Sequence, residues 1–202
     1  MSDTVDFWKG DFGTAYTARN RVDWRARIPF WDRLVAKYGF RSVYEVGANA
    51  GWNFSAIKHT IHGYNIVTHG CEINGAARKQ AENAGLSLEE ELYFGTHTGL
   101  AYNHSNEYEL VYTSGVLIHV PPEELGAMMG AIVKASCDYV LAIEYESDQE
   151  EEVEYRGHTG KLWRRPYGKM YQDMGLELIE TGKLGGDDGF DKNGVTFWLL
   201  RK

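Results

Sequence analysis

The chain has 202 residues, 43% of them hydrophobic, which is enough to bury one full core and leaves no sign of a second domain. Its net charge of −8, with 21 basic against 29 acidic residues, excludes the basic tract that holds a nucleic-acid backbone. No apolar run approaches the ~20 residues of a membrane span, and residues 1–6 lack the charge pattern of a secretory signal. A single domain over residues 1–202, located in the cytoplasm, is expected.

In chain order, Phe7, Trp8, Phe12 and Tyr16, followed by Arg19 and Asn20, make an aromatic opening. It either packs on a sheet edge or folds over a site as a lid of residues 1–24. Residues 25–38 read as a helix, because Ile28, Trp31, Leu34, Val35 and Tyr38 recur near one helical face. Next comes Tyr44-Glu45-Val46-Gly47-Ala48-Asn49-Ala50-Gly51-Trp52-Asn53, a strand that ends in an acid and turns through two glycines into a helix at residues 53–59.

Strand, glycine turn and helix also hold dinucleotides, but with the spacing G-x-G-x-x-G; here the spacing is G-x-N-x-G and Trp52 fills the third glycine position. An acid directly before the turn repels phosphate and suits an ammonium group. S-adenosylmethionine (SAM) has an ammonium, carries no phosphate and needs the close backbone approach that glycine permits. Glu45, Gly47, Asn49 and Gly51 are therefore candidate cofactor residues, against the alternative of a turn that merely joins strand to helix.

A second strand, residues 64–71, ends at Glu72, about 20 residues past the turn, where nucleoside-binding folds place the carboxylate that takes the ribose hydroxyls. Glu72 and the adjoining Ile73 join the cofactor set; the alternative for Glu72 is a capping acid for the helix of residues 74–83. Residues 92–94 and 110–113 are further strands, ending at Gly95-Thr96 and Ser114-Gly115. Ligands of open α/β sheets bind beyond such carboxyl ends, which adds Gly95, Thr96 and Ser114.

His119 is the candidate general base, since neutral imidazole accepts a hydroxyl proton near pH 7. A structural histidine before the Pro121-Pro122 turn is the alternative. Pro122, Glu123 and Glu124 open a helix running to about Ala135. Residues 138–144 form the fifth strand, and Tyr145 at its end could orient an acceptor. The acidic run 148–154 reads as a solvated loop. After it, Tyr155, Arg156, His158, Lys161, Trp163, Arg164 and Arg165 reverse the local charge. Guanidinium binds carboxylate or phosphate in bidentate fashion, so this cluster either holds an anionic acceptor or neutralises the glutamates beside it. Residues 176–181 and 195–200 read as a closing antiparallel pair. Cys71 and Cys137 lie in or at the end of apolar runs, as reduced core thiols, and no metal-ligand spacing occurs.

Several of these segments together resemble a known family: Phe7-Trp8-Lys9-Gly10-Asp11-Phe12-Gly13 with Tyr16 and Arg19-Asn20, the turn from Glu45 to Asn53, Gly115-Val116-Leu117-Ile118-His119-Val120, Glu144-Tyr145, Tyr155-Arg156-Gly157 and Leu162-Trp163-Arg164-Arg165. Over nearly its whole length the chain looks like a class I SAM-dependent methyltransferase, and more narrowly like the methylases associated with pseudaminic acid biosynthesis. Residues 147–153 depart from that pattern, being acidic where a Pro-containing segment is usual. The resemblance implies a Rossmann-like α/β fold: a seven-stranded, mostly parallel sheet of order 3-2-1-4-5-7-6 with helices on both faces. It also implies cofactor roles for Tyr16 and Arg19, the latter toward the methionine carboxylate.

The expected function is SAM-dependent methyl transfer, leaving S-adenosylhomocysteine (SAH), to an anionic small molecule. Oxygen of an acidic sugar, a nucleotide sugar, a phosphonate or a phosphate is the expected acceptor atom. His119 and Tyr145 would be catalytic; Tyr155, Arg156, Trp163 and Arg164 would bind the acceptor. Methylation of a small-molecule amine, or a non-catalytic SAM-binding subunit, are the alternatives. Oligomeric state is left open.

Overall fold

The computed structural model describes residues 3–88 and 105–202. Helices α1 (Asp3–Lys9) and α2 (Asp11–Arg19) form the opening hairpin. A Cβ on Gly13 would stand 1.8 Å from the Trp8 carbonyl oxygen, so only glycine lets the two helices fold back this closely. A 3-10 turn, Trp24–Arg27, leads into α3 (Ile28–Tyr38). The α-helix starts later than residue 25 because Pro29 occupies its first turn, where a missing N–H costs nothing.

Strands β1 (Ser42–Val46), β2 (Val67–Cys71), β3 (Tyr108–Ser114) and β4 (Ser136–Glu144) are parallel; β7 (Glu177–Leu184) and β8 (Val195–Arg201) close the sheet antiparallel. The order is β2-β1-β3-β4-β8-β7. This is the expected 3-2-1-4-5-7-6 order without the strand expected at 92–94, which lies outside the described residues with Gly95 and Thr96. Between them, β5 (Glu151–Glu152) and β6 (Trp163–Arg164) pair as a separate ribbon that periodicity did not predict, since two residues show no alternation. The second strand starts at Val67 rather than residue 64, because a 3-10 turn at Gly63–Asn65 leaves Tyr64 80% exposed.

The sheet separates two cores. Along β3, Leu110 and Tyr112 face one and Val111 the other; along β4, Leu141 and Ile143 face the first and Val140 and Ala142 the second. Phe30, Trp31, Leu34 and Val35 of α3, with Phe54 and Ile57 of α4 (Trp52–Lys58), fill the first core. Met128, Met129 and Ile132 of α6 (Pro122–Ala135), with Tyr167 and Tyr171 of α7 (Tyr167–Asp173), fill the second; α5 (Gly75–Asn83) connects β2 toward β3. Cys71 is buried as expected, whereas Cys137 is exposed at the entry of β4, and neither is in a disulfide. Among the described residues no helix is long and apolar enough to cross a membrane.

One buried amide ties the first core to the sheet. Asn53 accepts from Arg27 Nη1 at 2.8 Å and Trp31 Nε1 at 3.2 Å, and its own Nδ2 donates to Glu45 Oε1 at 2.6 Å. Tyr112 completes the network by donating to Glu45 Oε2 at 3.0 Å. Removing one member strands the others away from water. Asn53→Ala should lower unfolding free energy by about 3 kcal/mol in chemical denaturation; a loss below about 1 kcal/mol would mean that water replaces the amide.

Candidate active site

Beyond β1 the chain passes through three left-handed residues, Gly47 (φ +71°), Asn49 (φ +49°) and Gly51 (φ +74°). A Cβ on Gly47 would stand 2.6 Å from Val116 Cγ2, so glycine is required for the loop to lie against the end of β3. Asn49 tolerates its conformation because its side chain bonds locally, Oδ1 accepting from Ala50 N at 2.8 Å. Glu72 holds the loop across the sheet: Oε2 accepts from Asn49 N and Oε1 from Asn74 N, both at 2.8 Å. Burial raises the Glu72 pKa, opposed by those backbone N–H groups.

Two cavities open at these strand ends. The first is a slot of about 80 Å³ under the α1–α2 hairpin, lined by Trp8, Gly13, Tyr16, Thr17, Gly47, Asn49, Glu72, Ile73, Asn74, Ser114, Gly115, Val116 and His119. The second, about 870 Å³, is lined by Arg19, Arg27, Tyr145, Glu146, Glu154, Tyr155, Arg156, Arg164, Lys183 and Asp191 among others. They meet at Tyr16, Ser114, Gly115 and His119, which line both.

Most predicted site residues are thus brought together. Glu45 and Gly51 are not. Glu45 shares the face of β1 that packs on α3 and α4, so its carboxylate points behind the loop to Asn53 and Tyr112, where burial pushes its pKa up to about 8. Gly51 packs against Leu86 instead of lining a cavity. Arg19 lines the second cavity, stacked on Phe12 and Tyr16 at 4.9 and 5.5 Å, rather than the slot where a cofactor carboxylate was expected. Trp163 is buried against Arg165, whose guanidinium carbon lies 5.0 Å from its ring, and lines neither cavity.

The basic cluster divides in two. Arg165, fully buried, donates to Glu150 at 2.7 Å and to the carbonyls of Leu117 and Val120, which makes it structural. Lys161 pairs with Asp3. Arg156 and Arg164 remain on the cavity wall with no ion pair among the described residues, as does Arg19. Arg156 sits at φ +54° in the two-residue turn closed by Tyr155 N→His158 O at 2.8 Å and His158 N→Tyr155 O at 3.0 Å. A side chain there costs on the order of 1 kcal/mol, a cost met at sites that hold ligands.

Sequence reasoning missed Asp191, on the β7–β8 connection, and Asn74 and Thr17 in the slot. Asp191 Oδ2 accepts from Tyr145 OH at 2.8 Å and Oδ1 from Asn193 N at 2.8 Å. Burial and this carboxylate raise the Tyr145 pKa well above its usual value, so the phenol stays neutral. Only Tyr145 gave a signal, because a carboxylate in a connection leaves no periodic trace.

His119 is buried, with Nδ1 2.6 Å from the Lys161 carbonyl oxygen. A carbonyl only accepts, so Nδ1 carries the proton and Nε2 is the acceptor. Burial lowers its pKa from 6.5 to about 4, so the ring is neutral at pH 7. Its turn, Leu117–His119, is held from below by Glu144, which accepts from the backbone N–H groups of Val116, Leu117 and Ile118 at 3.1, 3.2 and 3.4 Å.

No family model and no curated protein sequence matches the chain. Solved structures do. Magnesium protoporphyrin IX methyltransferase from Synechocystis, with SAH bound, superposes with a TM-score of 0.67 at 14% identity, over 98% of this chain and 97% of that one. A SAM-dependent methyltransferase from Leishmania major gives 0.69 at 15% identity over 99% and 87%. The sugar N-methyltransferase KedS8 from Streptoalloteichus gives 0.62 at 15% identity over 96% and 94%. The chain has the Rossmann-like methyltransferase fold.

The His119 pKa has a consequence for stability. The unfolded chain binds a proton near pH 6.5 that the native ring refuses until about pH 4, so this group's stabilisation is complete above 6.5 and is lost as pH falls toward 4. Wild type should therefore lose about 2 kcal/mol relative to His119→Gln between pH 7.5 and pH 5, by urea denaturation. Parallel pH profiles of the two proteins would show that the imidazole is hydrated.

Proposed function

We propose that this protein is a SAM-dependent methyltransferase that transfers a methyl group to oxygen of an anionic small molecule, such as an acidic sugar, a nucleotide sugar, a phosphonate or a phosphate. The observation that carries this reading is the meeting of two unlike cavities at Tyr16, Ser114, Gly115 and His119, one walled by bare backbone and the Glu72 carboxylate, the other bearing guanidinium groups with no ion pair among the described residues. Two features of the slot fit the cofactor. Gly47 and Gly115 present bare backbone at its wall, and the buried Trp8 Nε1 has no partner among the described residues, leaving a donor for a ligand oxygen. Glu72 in the same slot suits ribose hydroxyls and disfavours a pyrophosphate.

When bound, SAM supplies a methyl on a positively charged sulfur that departs as a neutral thioether. The protein's part is alignment and exclusion of water. Arg156 and Arg164 would hold the anionic group of the acceptor, and Tyr145, fixed by Asp191, would orient the attacking oxygen. If that oxygen is a hydroxyl, its proton passes to His119 Nε2 as the O–C bond forms; an ionised oxygen needs no base. An amine acceptor is the second reading. It is favoured by Asp191, a carboxylate with no cation partner among the described residues, and by the fold shared with a sugar N-methyltransferase.

Calorimetric titration with SAM, SAH and NADH tests the cofactor. Saturable binding of the first two alone is expected, with Glu72→Gln weakening both by at least about tenfold through loss of a charged ribose acceptor. Binding of NADH alone, or of none, overturns the reading. On the acceptor side, Arg156→Gly should raise stability by about 0.5–1 kcal/mol, by releasing the left-handed strain, while raising the acceptor KM and sparing SAM affinity. An unchanged KM, once an acceptor is in hand, would return Arg156 to the solvated surface.

A further inference from the structure

We propose that Lys161 is a positioning residue that fastens the α1–α2 hairpin and fixes the His119 ring in one act, so that closure over the cofactor and preparation of the base are a single event. The proposal rests on the reading of the junction as the methyl-transfer site. The slot under the hairpin is about 80 Å³. Cavities that enclose a nucleoside-sized ligand are on the order of 300 Å³ or more. A cofactor seated in the slot would lie under the hairpin, so something must hold the hairpin in place over it.

Lys161 touches both parties. Its ammonium, on a side chain only 8% exposed, pairs with Asp3 and lies 5.1 Å from the Phe7 ring centroid. Asp3 and Phe7 are one turn apart on α1 and so share a face toward that ammonium. The next residue, Trp8, packs on the His119 ring with centroids 4.4 Å apart. On the other side, the Lys161 carbonyl takes the Nδ1 proton of His119 at 2.6 Å. The same residue thus grips the hairpin with its side chain and sets the imidazole tautomer with its backbone.

His119 is faced by Trp8 from α1, Tyr155 from the ribbon and Lys161, with the Glu144 carboxylate below its turn. The charged groups among these face elsewhere: the Lys161 ammonium is turned to Asp3, and the Glu144 carboxyl is turned to backbone N–H groups. The ring's lowered proton affinity therefore depends on the hairpin keeping water away. Opening the hairpin removes Trp8, hydrates the imidazole and frees it to rotate; closing it restores the Nε2 acceptor. Cofactor would bind before the acceptor meets a competent base.

The test uses the full chain labelled with 15N-histidine, the His119 signal being identified by its loss in His119→Gln. Lys161→Met and Asp3→Ala should raise the His119 pKa by at least about one unit toward 6.5 as the ring is hydrated, and speed SAH release in stopped-flow fluorescence by about tenfold. Lys161→Arg, which keeps the charge, should behave as wild type. Asp3 is on the surface, so Asp3→Ala reads the fastening without disturbing the core. Wild-type titration and wild-type SAH release in both Lys161→Met and Asp3→Ala would overturn the proposal. Failure of SAM and SAH to bind wild type would sink the methyltransferase reading instead, and the His119 titration would then decide this one alone.

Discussion

The structure depends first on the burial of a polar chain through Asn53. Arg27 and Glu45 are both removed from water, and burial opposes the charge of each, lowering the pKa of Arg27 and raising that of Glu45 to about 8. Such a pair adds little net stability, but its alternatives are costly, so it selects one arrangement of the elements around it. Here that arrangement spans β1, the 3-10 turn, α3, α4 and β3. It also extends to the acceptor side: Arg27 Nε donates to the Gly189 carbonyl at 2.9 Å, and two residues later the same connection supplies Asp191, the partner of Tyr145. A substituent on Gly189 would crowd Ala26, Arg27 and Asp23, so the connection can approach only as glycine. The turn behind the slot and one wall of the acceptor cavity are thereby set by the same buried groups.

Charge is sorted by depth. At the junction, burial holds His119 at about 4 and Tyr16 at about 12, so that both rings are uncharged around neutral pH, and below them burial raises the Glu144 carboxyl to about 7. Full charges stand farther out, on Arg19, Arg156, Arg164 and Asp191 of the second cavity. A displacement that consumes a positive charge proceeds best in such a region, because no strong solvation shell must be reorganised at the reacting atoms. Under the proposed function the outer charges would serve recognition, where water and flexibility cost less.

The parts legible from sequence are those whose physics is local. The left-handed turn needs glycines at fixed spacing, and the apolar runs that become β3 and β4 mark strands buried on both faces. Glu45 shows the limit: an acid beside a glycine turn looks the same whether it points in front of the loop or behind it, and only its shared face with Val43, against α3 and α4, decides. In the segment from Lys161 to Arg165, Leu162 and Arg164 line the second cavity, while Lys161, Trp163 and Arg165 are buried away from both cavities. Composition shows a basic cluster there. Which cation is spent on structure depends on partners as distant as Asp3 and Glu150, and that is tertiary information.

The two cavities are also built from different materials, and this bears on how the fold accommodates change. The slot is walled by backbone at Gly47 and Gly115 and by Glu72 and Asn74, whose side chains are committed to hydrogen bonds with the loop, with α5 and with the carbonyls of Trp8, Lys9 and Gly10. Altering any of them disturbs several elements together. The charged wall of the second cavity is carried by long side chains on the β5–β6 ribbon, a left-handed turn and the β7–β8 connection. Under the proposed function, cofactor binding would thus be coupled to folding, whereas acceptor choice would be coupled to a few guanidinium and carboxylate groups. Chains of 14–15% identity share this fold, so the fold by itself does not decide which groups stand in the second cavity.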